Sequence, residues 1–127
     1  WRVDGNDAHA RAARALVAKL PPWLTTVGVV VEEPLEELRR LLGFLDRVQV
    51  HGERAAQAAE TLGPRIIPAF RVRSGFSIMD HHPERFSACL LDTYVAGKHG
   101  GTGETFDWNL AREVAEAGCR VILAGAR

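Results

Sequence analysis

Apolar positions gather into short, nearly continuous runs, and the stretches between them carry helical spacing. Val27-Gly28-Val29-Val30-Val31 is the core of a strand predicted over 24–31, and further strands are predicted over 47–51, 65–72, 86–92 and 119–124. Runs so continuously apolar fit parallel strands covered on both faces better than half-solvated antiparallel ones. The first helix is predicted from about Asp7 to Leu20, with Ala12, Ala15, Leu16 and Leu20 on one face and Pro21-Pro22 stopping it. A second holds Pro34 in its first turn and ends at Leu42 and Gly43; a third runs from Glu53 to Leu62, where Gly63-Pro64 breaks it. A short, poorly patterned helix is predicted over 76–82, and a last one over 107–117, with Asp107 as N-cap and Gly118 past its end. Strict β-α alternation implies a mainly parallel sheet with right-handed crossovers, without deciding between a barrel and an open sheet.

Composition narrows the function classes. With 16 basic and 16 acidic residues the formal charge is zero, so nothing argues for nucleic acid or an anionic membrane as partner, and small-molecule chemistry fits better. No apolar run approaches the ~20 residues that span a bilayer, and the N-terminal stretch lacks a basic region followed by an apolar block. A soluble, cytoplasmic protein is the expectation. Cys89 and Cys119 lie in predicted strand segments without Cys-x-x-Cys spacing, and read as reduced, buried thiols. Asp80-His81-His82 with Glu84 reads as an exposed loop, because neighbouring histidines of a regular element cannot face one metal; no metal site is expected.

Asp92 is the foremost candidate for chemistry. Alternation along the strand places it on one face with Leu90 and Ala88, and a carboxylate at the C-terminal end of an α/β strand lies where such enzymes place their chemistry. Capping of the following turn is the alternative. After it, Gly100-Gly101-Thr102-Gly103 gives the backbone freedom to approach a ligand or close over it, or serves simply as a turn; Glu104-Thr105 rules out a phosphate loop of the Lys-Ser/Thr kind. Gln49 and His51 share a face, with His51 nearer the strand end, as a hydrogen-bonded structural residue or as a substrate contact. Trp108 reads as an anchor packing its helix.

Leu90-Leu91-Asp92-Thr93 followed by Gly100-Gly101-Thr102-Gly103-Glu104-Thr105-Phe106-Asp107-Trp108, together with Val48-Gln49-Val50-His51-Gly52, resembles the phosphoribosylanthranilate isomerase family. Pro21-Pro22-Trp23, Ile67-Pro68-Ala69-Phe70-Arg71-Val72 and Val121-Ile122-Leu123-Ala124-Gly125 fall in the family's order, so the resemblance covers most of the chain. It implies an α/β fold that is a partial (β/α)8 TIM barrel, about strands 3 to 7 with intervening helices, in a single partial domain over 1–127. A whole barrel takes ~250 residues, so the chain is expected to be a piece.

The implied activity is the cofactor-independent Amadori rearrangement of a phosphorylated aminoribose in tryptophan biosynthesis. Asp92 would be the general acid, and His51, Gly101, Thr102 and Gly125 substrate contacts. Where the family has a Gly-Gly pair, Ala126 follows Gly125, which weakens the implied phosphate cradle. The family's general base, a cysteine in a Lys-Ile-Cys-Gly run on the first strand, has no counterpart, and neither Cys89 nor Cys119 occupies its place. The chain alone is therefore expected to be inactive. Arg2 aligns only loosely with the family's carboxylate-binding arginine and is not assigned. A parent fused to other tryptophan-pathway domains is a further expectation. The competing reading is a self-contained, five-stranded doubly wound binding or regulatory module, in which later strands return to both sides of the first.

Overall fold

The computed structural model of the chain describes residues 8–72, 77–92 and 108–125. The elements alternate as predicted: α1 (Ala8–Ala18), β1 (Val27–Val31), α2 (Leu35–Leu42), β2 (Arg47–His51), α3 (Ala55–Leu62), β3 (Ile66–Arg71), β4 (Ala88–Asp92), α4 (Trp108–Glu116) and β5 (Arg120–Ala124). Between β3 and β4 the expected short helix is a pair of single 3₁₀ turns, Ile78–His81 and Pro83–Arg85, with His82 in the left-handed region between them. Pro34 takes the N-cap position of α2 with extended backbone, one residue before the predicted first turn. Gly63 and Gly118 end α3 and α4 at positive φ (92° and 97°), where a Cβ would strain the backbone.

All strand pairs are parallel, and their order is β1-β2-β3-β4-β5. This order excludes the doubly wound alternative, which needs β1 inside the sheet. Its consequence is geometric: right-handed crossovers that always step in one direction deliver every helix to the same face. The core follows suit. Val30, Val48, Val50, Ile66, Phe70, Cys89 and Leu91 of the strands join Leu38, Leu41, Ala55, Ala58 and Val114 of the helices in one large cluster. Opposite them, Ile67, Ala69 and Leu90 form a small cluster with Ala124, without a helical partner among the described residues.

The N-terminal ends of the strands are pinned by polar contacts. Asp46 accepts from the Thr26 N–H at 2.7 Å and hydroxyl at 3.0 Å, while the Asp46 N–H donates to the same hydroxyl oxygen at 3.0 Å. These bonds, the backbone N–H of Thr26 foremost, hold the Asp46 carboxyl below its usual range. Arg65 donates to the carbonyls of Leu42, Leu45 and Asp46 at 2.6–2.9 Å, satisfying the orphan acceptors where α2 ends. This end of the sheet is therefore committed to structure.

Candidate active site

At the opposite end the helix-free face carries a different residue set. Register places Val31, His51, Ala69, Leu90 and Ile122 in one row across the sheet, and Arg71, Asp92 and Ala124 in the next row toward the C-terminal ends. Arg71 and Asp92 are direct cross-strand partners, and the Val72 N–H donates to the Asp92 carbonyl at 2.8 Å, locking that register at the strand ends. Thus β2, β3 and β4 each end in a polar side chain aimed to the same face, above an apolar floor of Ala69 and Leu90.

His51 is half-buried and lies in the field of both neighbours. Burial holds its imidazole below the ordinary histidine range; Asp92 acts in the opposite sense, and Arg71 adds to the lowering. The ring is therefore kept neutral, with Gln49 Nε2 2.7 Å from His51 Nε2 on the same face. The turn after His51 is fixed by Glu32: its N–H donates to the His51 carbonyl at 3.1 Å, and its carboxylate Oε1 accepts from the Glu53 N–H at 2.9 Å. Glu32 has φ 54° and Gly52 φ 110°. At φ 110° the position favours glycine, and a Cβ there would displace the Glu32 carboxylate that braces the turn.

The sequence-predicted residues divide accordingly. Asp92 and His51 come together on one face, at the ends of β4 and β2. Gly125 follows β5 at φ 70° beside this end of the sheet, exposed. Gly101 and Thr102, with the rest of the glycine loop, the Asp107 cap, Arg2 and Ala126, lie outside the described residues. Trp108, expected to pack α4, is 61% exposed, and Val114 is the residue of that helix that is buried.

Arg71 was missed, because it closes an otherwise apolar run and reads there as a solvated strand end. Parity with Ile67 and Ala69 places it on the face of Asp92, but only the β3–β4 register makes the two neighbours. The cysteines are on the wrong side for chemistry: Cys89 and Cys119 are buried free thiols in the core beneath the helices. Burial pushes the Cys89 thiol far up, with Cys119 beside it acting in the same sense, so neither offers a thiolate at neutral pH. A cleft of about 300 Å³ between Gly63, Pro64, Arg85 and Ser87 opens at the N-terminal ends of β3 and β4, far along the strands from Asp92. His82 and Glu84 pair with each other at 3.1 Å on the surface.

Parallel strands in sequential order, with the helices of the described residues on one face and polar side chains at the C-terminal strand ends of the other, define a β/α architecture of the kind in which enzymes place their chemistry at the strand mouths. Sequence comparison narrows the class: the profile of the family described as N-(5'phosphoribosyl)anthranilate (PRA) isomerase matches residues 5–126. The chain belongs to that family. It is 45% identical over 117 residues to the N-(5'-phosphoribosyl)anthranilate isomerase of Moorella thermoacetica, a match covering 90% of this chain and 52% of the relative. Among solved structures it is similar to the phosphoribosyl anthranilate isomerase of Thermotoga maritima, with TM-score 0.69 and 30% identity over 92% of this chain and 58% of that one. The Thermus thermophilus enzyme gives TM-score 0.60 at 35% identity, covering 90% and 57%. The chain thus spans little more than half the length of these relatives.

Proposed function

We propose that this chain is the segment of a phosphoribosylanthranilate isomerase of tryptophan biosynthesis that supplies about strands 3 to 7 of a (β/α)8 barrel, as one partial domain over residues 1–127. The observation that carries the reading is the position of Asp92, at the C-terminal end of β4 on the face opposite the helices, beside Arg71 and near enough to His51 to act on its ring. Strand-end carboxylates of barrel enzymes occupy the catalytic mouth. The sequential strand order supports a barrel, since closing such a sheet onto further strands would cover the face that the helices leave bare. The substrate is a phosphorylated aminoribose, the site residues act without a cofactor, and the cytoplasm is the compartment of such a pathway. Among the described residues, no helix is long and apolar enough to cross a membrane.

In this reading Asp92 protonates the furanose oxygen of N-(5-phosphoribosyl)anthranilate as the C–O bond breaks, giving an imine. A base then removes the proton from C2, the enolamine forms, and tautomerisation yields 1-(o-carboxyphenylamino)-1-deoxyribulose 5-phosphate. His51 contacts the sugar, Gly101 and Thr102 belong to a loop that approaches the substrate, and the Gly125 backbone contributes to the phosphate site. A positioned acid needs a positioned base on the far side of the same sugar, and both thiols here are buried beneath the helices. The base is expected from a Lys-Ile-Cys-Gly strand encoded upstream, and fused pathway domains would lie further out in the same reading frame. Sequencing the locus and assaying the complete product by loss of substrate fluorescence tests the proposal. Turnover by the complete protein and none by residues 1–127 alone is the expected result; an upstream frame that encodes no such strand, joined to an inactive product, would refute it.

A further inference from the structure

The contact between Gln49 and His51 carries a statement about protons. Gln49 Nε2 and His51 Nε2 are 2.7 Å apart. With the amide nitrogen turned toward the ring, a group with two N–H donors and no lone pair faces the imidazole Nε2, which accepts in this arrangement. A ring that accepts at Nε2 is neutral and carries its proton on Nδ1. The surroundings agree with neutrality. His51 is half-buried at the strand ends, and of the charged groups facing it, Arg71 of β3 opposes protonation while Asp92 of β4 favours it, with burial the larger influence. The backbone agrees as well: the His51 carbonyl is held by the Glu32 N–H of the segment following β1, and the Gly52 turn is braced by the Glu32 carboxylate, so the ring is presented from a fixed base.

We propose that Gln49 is a positioning residue that holds His51 as the neutral Nδ1–H tautomer, so that the ring serves as a hydrogen-bond donor to a sugar oxygen of the substrate at the mouth. A neutral imidazole donor suits this place. It polarises an oxygen without competing with Asp92 for the proton being transferred, and without adding a second cation beside Arg71. The identity of the oxygen rests on the isomerase reading; the tautomer does not.

The ¹⁵N resonances of the His51 ring, recorded without substrate in the complete protein, decide the first part. The expected spectrum has a protonated Nδ1 and a lone-pair Nε2 at neutral pH. Gln49→Glu keeps the size of the side chain but leaves only acceptors, so the proton is expected to move to Nε2 or the ring to become charged. Wild-type protein in the Nε2–H form, or a Gln49→Glu protein with an unchanged tautomer, would overturn the assignment; should that variant not fold, the wild-type spectrum alone decides. For the second part, Gln49→Glu is expected to lower kcat/KM at least about tenfold, the factor that one hydrogen bond of ordinary net strength represents. A switched tautomer with kcat/KM unchanged would overturn the donor role of His51 while leaving the Asp92 reading intact.

Discussion

Arg71 and Asp92 face each other across β3 and β4, and His51 senses both, with opposite sign. The consequence is measurable in a titration. Removing the guanidinium in Arg71→Gln should move the His51 pKa up toward 6.5, and removing the carboxylate in Asp92→Asn should move it further down. Above pH 6.5 the ring is neutral folded or unfolded; as pH falls below that value the unfolded chain takes the proton first, and stability declines until pH passes the folded value. The decline should be shallower in Arg71→Gln. Shifts of one sign in both variants would show that the two charges do not flank the ring. At this scale the strand-end positions of Asp92 and His51 were legible in the sequence, because strand parity and strand ends are one-dimensional properties, while their roles came from the family resemblance. Arg71 was not, since its partner lies 21 residues away and only register reveals it.

Elements were read more completely than their ends. Strand β2 matches its predicted limits, and the other strands begin one to three residues late; before β1 the Thr26 N–H goes to the Asp46 carboxylate rather than to a strand partner. The short segment before β4 was anticipated as a helix. It forms tight 3₁₀ turns because Pro83 interrupts it, while Ile78 and Phe86 are buried at its two ends. Nothing in local pattern marked the turn after β2 as special, because its tightness comes from Glu32, contributed by the segment following β1. That turn yields a prediction: Gly52→Ala should destabilise the protein by about 1–3 kcal/mol, the cost of a forced left-handed backbone, and disturb His51 with it. Chemical denaturation with His51 resonances as a second probe checks this. Stability and ring signals both like wild type would mean that Glu32 does not brace the turn.

For the whole molecule, continuous apolar runs and β-α alternation announced a parallel α/β fold but left barrel and open sheet undecided, because both share the β-α repeat. Strand order settled that choice against the doubly wound sheet. The same order leaves β1 and β5 as outer strands, with Val27, Val29 and Val31 at 45%, 47% and 63% exposure on the bare face and Ile122 at 40%. Open parallel edges next to exposed valines favour association. Residues 1–127 alone are therefore expected to sediment as oligomers or aggregates and to show no isomerase activity; a monodisperse, catalytically active monomer would contradict the need for further strands. The most direct test of the account is the steady-state kinetics of Asp92→Asn in the complete protein with phosphoribosylanthranilate. Asn keeps the size of the side chain and removes its acidity, so kcat is predicted to fall by ~10²–10⁴-fold, the range for losing a positioned proton donor, with a small change in substrate binding. A folded Asp92→Asn protein turning over near the wild-type rate would show that the carboxylate at the end of β4 is a turn residue and not the acid.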